Sequence, residues 1–210
     1  MQNNMIHTNN PLLESSNLSR LIRNFVCAAG TLVLVACAHP VSIQATKMPE
    51  RSSQTSPKKV AYVVTEADRQ KQFITDGGGG DKITYYPYRD FERSLRSALA
   101  SIYSDVTLIN SATNVTALRE SGASFVFIPE ISTTSSSPSA LTWPPTKFSV
   151  TVSVDVLDPQ AVRLARLSVT GNGAAEWEEF KGEFGLAGRR AVENAAQALV
   201  EEIQRTEKLR

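Results

Sequence analysis

The stretch from Phe148 to Leu157 constrains the fold most, because its side chains alternate without a break. Phe148, Val150, Val152, Val154 and Val156 share one face, and Ser149, Thr151, Ser153 and Asp155 share the other. Successive side chains of a strand point to opposite sides, so this is a strand with one core face and one wet face. Asp158-Pro159-Gln160 supplies a turn, and Ala165 to Gly171 returns as its antiparallel partner, with Gly171 and Gly173 marking the end.

Other elements are expected around this pair. Lys59 to Thr65 and Val106 to Ile109 read as strands, and Ser124 to Ile131 as a central strand with two apolar faces and Pro129 at its end or at a bulge. Asp90 is expected to cap a helix over 91–103, with Phe91, Leu95, Leu99 and Ile102 at helical spacing. Arg89, Arg93 and Arg96 fall on its outer side, where they could meet anionic lipid or a partner; a solvated face is the preferred reading, given Asp90 and Glu92 nearby. Asn114 caps a short helix that Gly122 ends, and Leu186 to Ile203 forms a second amphipathic helix along Ala191, Val192, Ala195, Ala196, Leu199 and Ile203. Gly77 to Gly80 reads as a hairpin or flexible loop, since Asp81-Lys82-Ile83 follows where a phosphate loop needs Gly-Lys-Ser/Thr. The expected fold class is α/β (α+β): a mixed, largely antiparallel sheet of about four to five strands with two main amphipathic helices packed on it.

The first 36 residues are excluded from that fold. Arg20 and Arg23 precede an apolar run from Phe25 to Ala36, followed by Cys37. Charge, a short apolar core and a small residue at the cut make an export signal. The run is too short to span a bilayer, for which about 18 to 20 residues are needed. Leu34-Val35-Ala36 directly before Cys37 resembles the lipobox of bacterial lipoproteins. The resemblance implies cleavage before Cys37, a thioether-linked diacylglycerol on it and usually a third acyl chain on the new amino group. Several chains hold a protein to a membrane without any span, whereas one holds only marginally. Ala38, where an aspartate would resemble an inner-membrane retention signal, favours the periplasmic face of the outer membrane. Residues 38–57, with Pro40, Pro49, Pro57 and a Ser/Thr/Gln-rich run, are expected to be a flexible tether, and 58–210 a single globular domain.

Composition closes several functional classes. Cys27 lies in the leader and Cys37 is the expected lipid site, so no thiol remains for a disulfide, a nucleophile or a metal. The histidines are His7, in the leader, and His39, in the expected tether. Catalysis through a histidine-activated serine or cysteine, and nearly all zinc sites, are thereby removed from the domain. Without the leader, which holds Arg20, Arg23 and Glu14, the 22 basic and 21 acidic residues become 20 of each, and no basic field points to nucleic acid. No cofactor is implied. Glu176, Glu178 and Glu179 with Asp155 could supply paired carboxylates, but they read as a solvated acidic loop.

Gly122-Ala123-Ser124-Phe125-Val126-Phe127-Ile128-Pro129-Glu130-Ile131 resembles a strand motif of envelope lipoproteins built like the N-terminal domain of the Tol-Pal protein TolB, with Ser124 where that motif has aspartate. The resemblance, over roughly 58–205 and carried by element order together with this one motif, implies an α/β module that docks onto other envelope proteins, sometimes as dimers or rings. It brings no catalytic residues. The expectation is a non-enzymatic envelope lipoprotein that assembles with itself or with partners at the membrane. The alternative is a lipoprotein that shields a lipid or polysaccharide segment in a pocket between helix and sheet. The connection 132–146 holds Leu141 and Trp143, which either insert into a partner or fold back over a sheet edge; the second is the preferred reading, and both residues are kept as candidate contacts.

Overall fold

The structure, a computed structural model, describes residues 38–111, 114–139, 141–180 and 182–209. The leader, its Leu34-Val35-Ala36 and Cys37 lie outside the described residues. Within them run strands β1 (Ala38–Pro40), β2 (Ser56–Val63), β3 (Phe73–Asp76), β4 (Lys82–Tyr85), β5 (Tyr103–Ile109), β6 (Phe125–Ser136), β7 (Lys147–Leu157) and β8 (Arg163–Ala174). The helices are α1 (Glu66–Gln70), α2 (Pro87–Ile102), α3 (Val115–Glu120) and α4 (Leu186–Arg205).

The main sheet has the order β5-β2-β6-β7-β8. β2 pairs in parallel with both β5 and β6, whereas β6–β7 and β7–β8 are antiparallel. The sheet is therefore mixed rather than largely antiparallel. The reason lies in the connections: α2 and α3 carry the chain back before each new strand, which makes parallel neighbours, while the loops between β6, β7 and β8 hold no helix and turn the chain straight back, which makes antiparallel ones. A second sheet, β1-β4-β3, arises from three short segments not expected as strands. Gly77 to Gly80 closes the β3–β4 hairpin, with Gly79 and Gly80 at positive φ (66° and 86°), where a side chain would be strained.

Helices α2 and α4 cover one face of the main sheet, with Phe91, Leu95 and Leu99 from α2 and Ala191, Val192, Ala195 and Leu199 from α4 buried against Val150, Val152, Val154 and Val156. The opposite face is covered only locally, where α3 sets Leu118 over Ala61, Val63 and Val126. Pro129 sits mid-strand rather than at an end. β2 pairs with β6 only as far as Phe127, and Ile131, two residues beyond Pro129, sends its N–H to the Tyr88 hydroxyl. The missing donor of Pro129 thus faces a side with no strand to receive it.

β8 runs past Gly171 to Ala174, so Gly173 stands next to its end and Gly171 inside it. They are where α4 crosses it. A Cβ on Gly171 would lie 2.1 Å from the Ala191 carbonyl oxygen, and one on Gly173 would lie 2.0 Å from that of Ala187. The alanine stripe of α4 meets bare backbone, so helix and strand approach more closely than side chains would permit.

The expected tether is not free. Ala38 to Pro40 is a strand, and Ile43 and Ala45 are buried. The segment lies against α2 and α4. Asp90, expected as the helix cap, is instead inside α2, which starts at Pro87 with Tyr86 before it. Its carboxylate accepts the Ile43 N–H at 3.1 Å; burial raises its pKa, against the opposing effect of that hydrogen bond and of Arg89. Glu193 on α4 accepts the N–H groups of Thr46 and Lys47 at 3.0 and 2.9 Å. Gly185 and Gly188 clear the path, since a Cβ on either would meet Ser42 or Ile43. Composition predicted mobility because the segment offers little apolar area, but a few buried side chains and two borrowed carboxylates suffice to hold it.

Two outcomes are expected. Gly171→Ala forces a methyl into the α4 backbone and should destabilise the fold at the upper end of the roughly 1–3 kcal/mol cost of overpacking, read as a lower denaturant midpoint. Burial of Glu193 alone would raise its pKa, but the hydrogen bonds from Lys47 and Thr46 outweigh it and lower the value. Its contribution is therefore present above the ordinary glutamate value of about 4.3 and lost as pH falls through the depressed folded value. Hydrogen-exchange protection of Thr46 and Lys47 should drop in that acid window before the sheet opens, and Glu193→Gln should remove the pH dependence.

Candidate functional site

The uncovered face of β6, β7 and β8 is polar along its length. Ser149 donates to Asn172 at 2.7 Å, the Thr151 and Thr170 hydroxyls lie 2.8 Å apart, and those of Ser153 and Ser168 lie 3.2 Å apart. At one end Arg166 bridges Asp155 at 3.0 Å and Glu130 at 2.8 Å. Each rung is a cross-strand pair, which stabilises the sheet and leaves the face flat and nearly neutral.

β8 is the last strand of the sheet, so one side of its backbone has no strand partner among the described residues. Helix α4 packs along β8 and hydrogen-bonds two carbonyls on that side. Asn194 donates to the Asn172 carbonyl at 2.6 Å, and Arg190 donates to that of Ala174 at 2.7 Å. Because N–H and C=O of one residue point the same way in an antiparallel strand, the same side carries the backbone groups of Thr170, Ser168 and Arg166. These three are exposed. Their stretch holds no proline, and its one charge, Arg166, is drawn across the sheet face to Asp155 and Glu130. Edge strands are ordinarily guarded by prolines, charges or bulges, and this stretch is not.

The acidic residues considered as a catalytic pair are not brought together. Asp155 is held by Arg166 and Arg163 on the sheet face. Glu176 and Glu179 cap a short 3-10 turn at Trp177–Glu179, and Arg190 holds the Glu179 carboxyl down to about 2, helped by the Glu176 N–H. Arg89, Arg93 and Arg96 are exposed on the outer side of α2, where the last two and Arg89 border a cleft of about 250 Å³ with Tyr62 and Glu92. Glu92 is already bound by Arg69 at 2.7 Å.

Leu141 and Trp143 behave differently from one another. Leu141 is 95% exposed. Trp143 folds back, its ring stacked on His39 at 4.2 Å and tilted against Phe184 at 4.7 Å. The loop carrying them is pinned to the β3–β4 hairpin, where Gly78 donates to the Trp143 carbonyl and Gly79 to that of Ser139. The sequence offered no sign that His39 and Phe184 would meet Trp143, since the three come from distant segments with no shared pattern. The open edge of β8 was equally invisible, because strand order is not written in local alternation.

No protein-family model matches the chain, and no curated protein matches it. Among solved structures it is similar to a Xanthomonas campestris protein of the DUF330 family, at 9% identity over 78% of this chain and 92% of that one, with a TM-score of 0.49. It is also similar to a Helicobacter pylori protein described as a homolog of neuraminyllactose-binding hemagglutinin, at 12% identity over 81% and 94% of the two chains, with a TM-score of 0.49. A third is PelC from Paraburkholderia phytofirmans, solved as a dodecamer, at 12% identity over 73% and 94%, with a TM-score of 0.42. Likenesses this distant assign neither family nor function.

A Cβ on Gly78 would lie 1.8 Å from the Thr142 carbonyl oxygen. Gly78→Ala should therefore unseat the loop and expose Trp143. In a Trp177→Phe background, which leaves Trp143 as the sole tryptophan of the two, its emission should shift to the red while the unfolding midpoint of the main sheet changes little.

Proposed function

We propose that this protein is a lipid-anchored subunit of the bacterial envelope, held by Cys37 at the periplasmic face of the outer membrane, that acts without catalysis by assembling with a second copy of itself. The open edge of β8 carries this reading. An antiparallel match of β8 with β8 of another copy, centred on Ser168, sets Arg166 across from Thr170 and brings no like charges together. Both polar faces then join into one, and the unpaired backbone groups of Arg166, Ser168 and Thr170 gain partners. The leader, the lipobox and Ala38 support the anchor and its sorting.

The shielding alternative needs an apolar pocket between helix and sheet. That space is filled by Phe91, Leu95, Leu99, Ala195 and Leu199 against the valines of β7. Clefts of about 470 and 580 Å³ lie instead along 48–56, the first lined by Ile102, Ile203 and Leu209 beside Ser52 and Gln54, the second mainly by polar groups such as Glu50, Arg51 and Gln204.

The full chain offers a clean test, because its only cysteines are Cys27, removed with the leader, and Cys37, consumed by acylation. Ser168→Cys places the sole free thiol on the proposed two-fold axis, where opposed residues sit about 5.5 Å apart, within disulfide reach. Mild oxidation of membranes should give a dimer, and Val162→Cys, in the β7–β8 turn, should not. Absence of the Ser168→Cys dimer would sink the edge reading. Cys37→Ala should release the protein from membranes; retention would sink the anchor.

A further inference from the structure

We infer that the end of the domain bearing His39, Leu141, Trp143 and Phe184 sits in the headgroup region of the bilayer and holds the domain in one fixed orientation. This rests on the reading of Cys37 as the acylated residue.

The first observation is the lack of slack. Ala38, one peptide bond after Cys37, is already paired with Lys82 in β1, and Val41 continues with an N–H bonded to the Thr84 carbonyl at 2.9 Å. Consecutive Cα atoms are about 3.8 Å apart. With acyl chains on Cys37, nothing is left to lift the domain off the membrane, and whatever surrounds Ala38 and His39 must lie at the depth of the lipid headgroups.

The second observation is what surrounds them. His39 stacks on Trp143, and Trp143 leans on Phe184. The exposed large apolar side chains among the described residues are Ile74, Leu108, Leu141, Val162, Trp177 and Phe184. Leu141, Trp177 and Phe184 belong to the same end, where β6 finishes, β7 starts, β8 finishes and α4 starts. Rings with a polar edge and an apolar body favour the membrane interface, and a leucine at the tip of a loop gains from burial there. Leu141 does not owe its exposure to a loose loop, for hydrogen bonds to Gly78 and Gly79 bracket it at Trp143 and Ser139.

The third observation is charge. Several carboxylates at this end lie against cations: Asp76 against Lys82, Glu179 against Arg190 at 2.7 Å and Glu183 against Arg189 at 2.8 Å, while Asp81 lies 3.5 Å from His39 and Glu176 and Glu178 flank Trp177. These pairs reduce the negative charge that the surface brings to anionic lipid.

The test uses full-length, acylated protein in phosphatidylethanolamine–phosphatidylglycerol vesicles containing lipid brominated either near the headgroup or near the chain ends. Two reporters are used: Trp177→Phe, which reads Trp143, and Leu141→Trp combined with Trp143→Phe and Trp177→Phe, which reads the loop tip. Both should lose emission to the shallow bromines and keep most of it with the deep ones. Val162→Trp in the doubly Trp-less background, at the far end of β8, should be unaffected by either. If vesicle flotation shows the protein bound but both reporters keep their emission, the domain stands off and this inference is wrong while the anchor stands. If the protein does not float with vesicles and its mass lacks the acyl chains, the anchor reading fails and takes the inference with it.

Discussion

The approach of α4 to the backbone of β8 is the contact on which the rest depends. Gly171 and Gly173 remove the side chains that would keep the helix at ordinary distance, and Ala187 and Ala191 supply the matching small surface. Close packing of this kind makes many dispersion contacts at once. It also sets where α4 lies relative to α2, and thereby the groove that receives Val41 to Lys47. Gly185, just before that helix, and Gly188 within it admit the segment; Asp90 satisfies the buried Ile43 N–H, and Glu193 holds the exposed N–H groups of Thr46 and Lys47. Small residues on one helix thus govern two layers, one beneath it and one above.

The two sides of the main sheet follow different rules. Toward the helices the sheet is a core of valine, phenylalanine and alanine. Away from them it is a lattice of hydroxyls that satisfy each other across strands, closed at one end by Glu130, Arg166 and Asp155. Such a face needs no cover, which explains how the short α3 can be the only helix on it among the described residues. The same arrangement draws Arg166 away from the strand edge where it would have stood guard.

Much of this architecture was legible in the sequence, and the losses have physical causes. The alternation from Phe148 to Val156 and the alanine stripe of α4 are local patterns, and both elements appear where expected. β1, β3 and β4 are three or four residues long, too short for a period to show. The Pro- and Ser-rich run after Cys37 reads as a tether because composition reports apolar area, whereas its order comes from carboxylates 47 and 146 residues away. Gly171 and Gly173 carry one local signal with two meanings, strand end or close approach, and only the partner helix decides. The parallel pairing of β2 with β5 and β6 was likewise beyond reach, since alternation fixes which face is buried and says nothing of which strand lies alongside. As for the site, Leu141 and Trp143 could be singled out by type, but the partners of Trp143 come from the two ends of the domain.

The short path from Cys37 to β1 has a consequence for how copies would meet. A domain on a long leash explores many heights and tilts, and two such domains must lose that freedom each time their edges align. A domain seated on the bilayer as proposed would have surrendered it already: its β8 edge would travel at one level, in a plane, facing sideways. Encounters become a search in two dimensions between surfaces already in registration, which lowers the orientational entropy lost on pairing and raises the effective concentration of one edge for the next. A contact as small as three residues of backbone, too weak to persist between freely tumbling molecules, can then be populated among neighbours on one membrane.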